Sequence, residues 1–253
     1  MNPINSAFKP VTWPVQNVVA FTTTIHHPKQ KLSSSVYGNF NLGLHVGDDE
    51  KSVLSNRQQL LNYLPRDTSV QWLDQVHGNH VAVINKRAQA VTADASVTQN
   101  KNIALAIMTA DCLPILISSF NGDDIAAIHG GWKPLSNQVI KHTLHKMNTP
   151  MSKLYAWLGP CIGAEKFEVG EDVYVQFTKQ SLELKQAFKL ILFNTNEKKY
   201  LCNLALIAKI QLNQLGIKTI SSLEHCTHSM KDDYYSYRRQ NTTGRMATII
   251  CRL

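Results

Sequence analysis

The 253-residue chain has no HxH histidine pair, no CxxC pair and no apolar stretch approaching the about 18 residues of a membrane span. Its ten histidines are too sparsely placed for a trinuclear copper cluster, which needs a dense, HxH-rich ligand set. The five cysteines, Cys112, Cys161, Cys202, Cys226 and Cys251, are odd in number and widely spaced. That pattern excludes a disulfide framework and leads to the expectation of a reducing, cytoplasmic setting. The opening MNPINSAFKP lacks the apolar core of a signal peptide, so no membrane association or export address is expected. Repeats, low-complexity tracts and linker-like segments are also missing. With 43% hydrophobic residues there is enough material for a substantial core, and a single domain over 1–253 is expected.

Charge is present in excess of one sign: the net formal charge is +8 and the pI about 9.2. The cations are scattered, as in Lys29 to Lys31, Lys198-Lys199 and Arg238-Arg239, with no basic helix and no zinc-finger or RNA-binding signature. This argues against specific nucleic-acid binding and favours a small anionic substrate.

Ile103 to Met108, Pro114 to Ile117 and Ile125 to Ile128 are continuous apolar runs of strand length, the pattern of strands buried on both faces. Val18 to Thr24, Leu154 to Leu158, Ile217 to Leu223 and Arg245 to Cys251 read as further strands, and Ser69 to Ile84 as strands interrupted at Gln75 to Asn79. Helices are expected over Glu50 to Leu64, with Val53, Leu54, Leu60, Leu61 and Leu64 inward, over Pro134 to Met147, and from Asn203 through Gln214 with Gly216 as the stop. The 167–199 stretch is mixed, with a helical pattern around Val173 to Phe177. Together these elements predict an α+β fold.

Cys112 falls between the first two apolar runs, His129 ends the third, and His77 occupies the Gln75 to Asn79 break. Side chains at the ends of buried strands can converge while the scaffold holds them rigid. The residue types allow a zinc-ligand set, a thiolate nucleophile with its base, or a buried Cys with a hydrogen-bonded His. His142 and His145 read as surface residues. His225, Cys226 and His228 lie close in sequence but without zinc-like spacing. Arg57 with Asn41, then Lys133 and Arg238, are the candidate anion or substrate contacts.

The ordered motifs Asn41-Leu-Gly-Leu-His-Val-Gly-Asp-Asp49, Asn56-Arg57, Gln75-Val-His-Gly78, Thr109-Ala-Asp-Cys-Leu-Pro114, Ala127-Ile-His-Gly-Gly-Trp132, Leu158-Gly-Pro-Cys-Ile-Gly163, Phe167-Glu-Val-Gly170 and Ser236-Tyr-Arg-Arg239 through Thr243-Gly-Arg-Met246 resemble the laccase-domain family of purine nucleoside phosphorylases, whose bacterial members were long labelled polyphenol oxidases. The resemblance runs from about Val18 to the C-terminus. It implies a single αβ sandwich with mixed sheets and one zinc held by His77, Cys112 and His129, the same residues serving catalysis. It also implies phosphorolysis of adenosine, inosine and methylthioadenosine, with adenosine deamination. Two alternatives accompany it: an amidase editing peptidoglycan precursors such as UDP-MurNAc-L-Ser, and a copper-dependent polyphenol oxidase, with copper expected only as an adventitious ion. A monomer acting on nucleoside and phosphate is the default. Where the family reads HAGWRG, this chain has Lys133-Pro134, which keeps a positive charge but loses the Arg fork and a backbone donor.

Overall fold

Strands with apolar residues on both faces need a layer on each side, and two sheets here satisfy that need. The computed structural model describes residues 4–29, 35–86, 89–191 and 197–253; the basic stretch Lys29 to Lys31 thus lies partly outside the described residues. One sheet has five strands in the order Phe8–Pro10, Val18–Thr23, Met246–Arg252, Ile103–Thr109 and Ser69–Gln71. The other has six, in the order Thr219–Ser222, Leu154–Leu158, Leu113–Ser119, Ile125–Gly130, Ala95–Thr98 and Val81–Val83. Both contain parallel and antiparallel pairs.

The inner faces of the sheets meet in one core, with Leu105, Ile107 and Ile250 from the five-stranded sheet against Leu116, Ala127, Tyr155 and Trp157 from the six-stranded one. The alternate residues point outward. Ala104, Ala106 and Ile249 pack with Phe40, Leu42, Leu60 and Leu64 on one side. Ile115, Ile117, Ala126 and Ile128 pack with helical residues Leu135, Ile140, Ile207 and Ala208 on the other. The α+β sandwich with mixed sheets is the observed fold, formed as one compact domain. Among the described residues no helix is long and apolar enough to cross a membrane.

Two elements differ from the sequence pattern, and the structure divides a third that the sequence left mixed. The first helix is Glu50–Leu61, capped where Asp49 accepts from Ser52 N, and residues to Leu64 continue as turns with i to i−3 bonds. Its Leu54 is exposed, because positions 53, 56 and 60 take the inward face and Asn56, buried, donates to the Asn41 carbonyl at 2.9 Å. The expected Pro134 to Met147 helix is two short ones, Trp132–Ser136 and Val139–Leu144, separated where Gln138 adopts φ 60°. The carbonyl of Asn137 at that break accepts from Asn79 Nδ2 at 2.9 Å, so the interruption ties the helices to the loop carrying His77. The mixed stretch yields the helix Glu171–Thr178 and, with Lys199–Cys202 in the middle, a three-stranded sheet of Glu168–Gly170 and Phe188–Ile191.

Candidate metal centre

Ile103–Thr109 belongs to the five-stranded sheet and Leu113–Ser119 to the six-stranded one, so Ala110-Asp111-Cys112 is where the chain crosses between layers. The crossing forces Asp111 to φ 97°, a conformation that costs a non-glycine residue about 1–3 kcal/mol. Hydrogen bonds hold it there. The Asp111 carboxylate accepts from Thr227 Oγ1 at 2.7 Å, Ser236 Oγ at 3.0 Å and Arg238 N at 2.7 Å, and its carbonyl accepts from Ile162 N at 2.8 Å. These contacts draw the Ser236 to Arg239 motif against the Cys112 turn.

His129 lies near the end of Ile125–Gly130, in register with Pro114, and is buried. Its neighbour on the opposite edge is Asp94, just before the strand Ala95–Thr98: His129 N donates to the Asp94 carbonyl at 2.8 Å. The Asp94 side chain has no exposed surface and accepts at Oδ1 from His129 Nδ1 at 2.7 Å and His77 N at 3.0 Å. At Oδ2 it accepts from Gly78 N at 2.6 Å and Val76 N at 3.3 Å. One carboxylate therefore orients both histidines, placing His129 Nε2 as the free ring nitrogen and folding the His77 loop, where His77 sits at φ 58°. Gln75 anchors the same loop by paired 2.8 Å bonds to the Met108 backbone.

The side-chain donor atoms of His77, Cys112 and His129 all lie within 4.8 Å of one another, and among the described residues no other such group forms. Cys112 Sγ is 3.9 Å from His77 Nε2. Burial opposes charge on both Cys112 and His129, but their mutual attraction prevails. The thiol comes down to about 6, helped by His77, and the imidazolium is held up at about 9, helped by Asp94. Asp94 is likewise kept below the usual carboxylate range against its burial, by His129 and the Gly78 and His77 amides. The backbone leaves room at the centre: a Cβ on Gly131 would stand 3.1 Å from Cys112 Sγ and 3.4 Å from His77 Cδ2. Two imidazoles and a readily formed thiolate, with one imidazole fixed by a carboxylate, are a fitting donor set for a borderline-soft divalent metal such as zinc.

The group opens onto a cavity of about 540 Å³ whose lining includes Lys133, Phe167, Tyr237, Arg238 and Arg245. Of the sequence candidates, Lys133 and Arg238 line this cavity. Arg57 and Asn41 are not among its lining residues. Arg57 donates from Nε to the Leu42 carbonyl at 2.9 Å and lies 3.9 Å above the Trp72 ring, with burial lowering its pKa to about 10. Asn41 is fully buried and accepts from Gly43 N and Arg245 N. His142 and His145 are exposed, and His225 bonds Tyr234 Oη at 2.8 Å instead of joining a metal group. Asp94, Gln75 and Arg245 received no role from the sequence. The signal for Asp94 was an acid between Ala93 and Ala95 at the start of a buried strand.

Comparison with known proteins places the whole chain and its fold. Residues 20–253 match the family described as multi-copper polyphenol oxidoreductase laccase. A Haemophilus influenzae protein named purine nucleoside phosphorylase is 39% identical over 93% of this chain and 94% of its own length. The Escherichia coli purine nucleoside phosphorylase YfiH is 35% identical over 85% and 86%. The crystal structure of a Neisseria meningitidis protein of the DUF152 family superposes with a TM-score of 0.88 at 34% identity, covering 97% of this chain and 99% of that one. On these matches, over nearly the whole chain, this protein belongs to the laccase-domain family whose curated relatives are named purine nucleoside phosphorylases.

Proposed function

We propose that this protein is a zinc-dependent purine nucleoside phosphorylase acting on adenosine, inosine and methylthioadenosine. The observation that carries the reading is the His77, Cys112 and His129 group opening onto a cavity ringed by Lys133, Arg238 and Arg245. The cavity volume falls in the about 300–1,000 Å³ range of small-molecule sites. Three protein ligands leave a fourth position open, as in catalytic rather than structural zinc sites. When bound, zinc would supply Lewis-acid polarisation of an oxygen at the cavity floor.

The protein groups divide the remaining work. Lys133, Arg238 and Arg245 attract phosphate and offset its charge, and Asn41 acts one step back by fixing the Arg245 backbone. Arg238 is steadied by the Glu168 carbonyl at 3.2 Å and by the Phe167 ring beneath its guanidinium at 5.2 Å. Tyr237 and Phe167 present rings to a purine base. Held in line, a phosphate oxygen forms a bond to C1′ as the C1′–N9 bond breaks. The N9 electron pair leaves with the base, which takes up a proton, and ribose 1-phosphate remains.

Adenosine deamination is the second reading, because a cavity that admits phosphate also admits water: the water oxygen would bond to C6 as the C6–N bond breaks, one water proton would leave with the amino group as ammonia, and zinc held by His77, Cys112 and His129 would supply Lewis acidity for such a step. Incubating the protein with adenosine or inosine, with and without phosphate, separates the two. Free base formed only with phosphate supports phosphorolysis, and inosine and ammonia formed without phosphate support deamination. Turnover of neither nucleoside refutes both.

A further inference from the structure

A second cavity, of about 320 Å³, is lined in part by Cys161, Ile162, Gly163, Lys209 and Cys226. Two of the five cysteines meet there. Cys161 and Cys226 are partners in an isolated parallel bridge: Cys161 N donates to the His225 carbonyl at 3.3 Å, and Thr227 N donates to the Cys161 carbonyl at 3.0 Å. Bridge partners send their side chains to the same face, and neighbouring strands stand about 4.8 Å apart. That spacing lies inside the about 4.4–6.8 Å Cα separation a disulfide spans.

The two thiols differ in a way that suits sequential chemistry. Cys226 is half-buried, and its Sγ accepts from Gly163 N at 3.2 Å and Ser229 N at 3.4 Å. Burial disfavours its thiolate, but the Ser229, Gly163 and His228 donors outweigh it and bring the pKa below the usual thiol value. Cys161 is buried, and that burial, reinforced by Cys226 and Cys112, pushes its thiol well up. Cys226 is thus the accessible, nucleophilic partner and Cys161 the protected one.

We propose that Cys161 and Cys226 form a redox pair that hydrogen peroxide closes to a disulfide. The Cys226 thiolate sulfur attacks a peroxide oxygen, the O–O bond breaks, and the departing hydroxide takes a proton to leave as water. Cys161 sulfur then attacks the resulting sulfenic sulfur, the S–O bond breaks, and the leaving hydroxide carries off the Cys161 proton as a second water. Two thiols lose two electrons and two protons, and one peroxide becomes two waters.

The pair is wired to the metal centre. Thr227 follows Cys226 and donates to the Asp111 carboxylate; Ile162 follows Cys161 and donates to the Asp111 carbonyl. A disulfide here pulls on two of the four bonds that hold the Asp111-Cys112 crossing. The proposal stands independently of the nucleoside reading.

The test is peptide mapping of the intact chain, reduced, treated with hydrogen peroxide and alkylated under denaturing conditions. The expected result is a cross-linked peptide joining Cys161 to Cys226, loss of alkylation at both positions together, and full reversal by dithiothreitol. In Cys161→Ala, Cys226 should be trapped as a sulfenic acid by dimedone, whereas in Cys226→Ser the Cys161 thiol should remain alkylatable. Cross-links that pair either cysteine with Cys112, Cys226 oxidised without a partner in the wild type, or both thiols untouched would each overturn the proposal.

Discussion

Replacing Asp94 with Asn tests how far the metal centre depends on one buried carboxylate. Asn keeps the shape but offers one oxygen where four N–H groups now converge on two. If the Asn oxygen stays with His129 and His77, its NH₂ confronts the Gly78 and Val76 amides, and these two partly buried hydrogen bonds are lost. If it flips, His129 must turn Nδ1 into an acceptor and carry its proton on Nε2, the nitrogen that faces Cys112 and His77. Either outcome costs about 1–3 kcal/mol per unsatisfied group, and loss of such an outer carboxylate weakens metal binding by about 10–100-fold. The assay is zinc competition against a chromogenic chelator for wild type and Asp94→Asn, with circular dichroism to confirm folding. A folded Asp94→Asn protein that binds zinc as tightly as wild type would refute the argument.

Gly131→Ala should separate site from fold. The backbone at Gly131, φ −65° and ψ 162°, accepts alanine, yet the new methyl would press on Cys112 Sγ and His77. The thermal midpoint should hold within a few degrees while zinc affinity falls about tenfold, as read by the same competition. Lys133→Ala should raise the KM for phosphate about tenfold with a smaller change in kcat, the loss of one charged contact worth about 1.4 kcal/mol; initial rates against phosphate concentration decide it. Arg57→Ala should instead lower stability by about 1–3 kcal/mol in urea unfolding, by removing the bond to the Leu42 carbonyl and the guanidinium over Trp72. A large rise in KM at unchanged stability would return Arg57 to the substrate site.

The strands around the site were legible because both sheets are covered on both faces. Continuous runs such as Ile103 to Met108 exist only where alternate residues, Leu105 inward and Ala106 outward, are both buried. The three metal-ligand candidates could be picked out for the same reason, since each interrupts or ends such a run. Asp94 could not, because its partners lie 16 to 35 residues away and only the pairing of Ala95–Thr98 with Ile125–Gly130 sets it beside His129. The split of the helix after Trp132 depends on a contact from Asn79. The outer strand Phe188–Ile191 carries no fully buried residue, so its sequence shows no strand pattern. Arg57 attracted a substrate role because charge on a helix suggests a ligand; its guanidinium contacts the Leu42 carbonyl and the Trp72 ring, and the Arg57→Ala comparison decides between the two roles.

The central claim, one metal at His77, Cys112 and His129 serving phosphorolysis, is tested most directly by zinc analysis and adenosine turnover on the same preparations of wild type and His129→Ala, each with and without phosphate. The account predicts about one zinc per wild-type chain, adenine and ribose 1-phosphate formed only with phosphate, and loss of both metal and turnover in the variant. A His129→Ala protein that keeps its zinc and its phosphate-dependent turnover would contradict it.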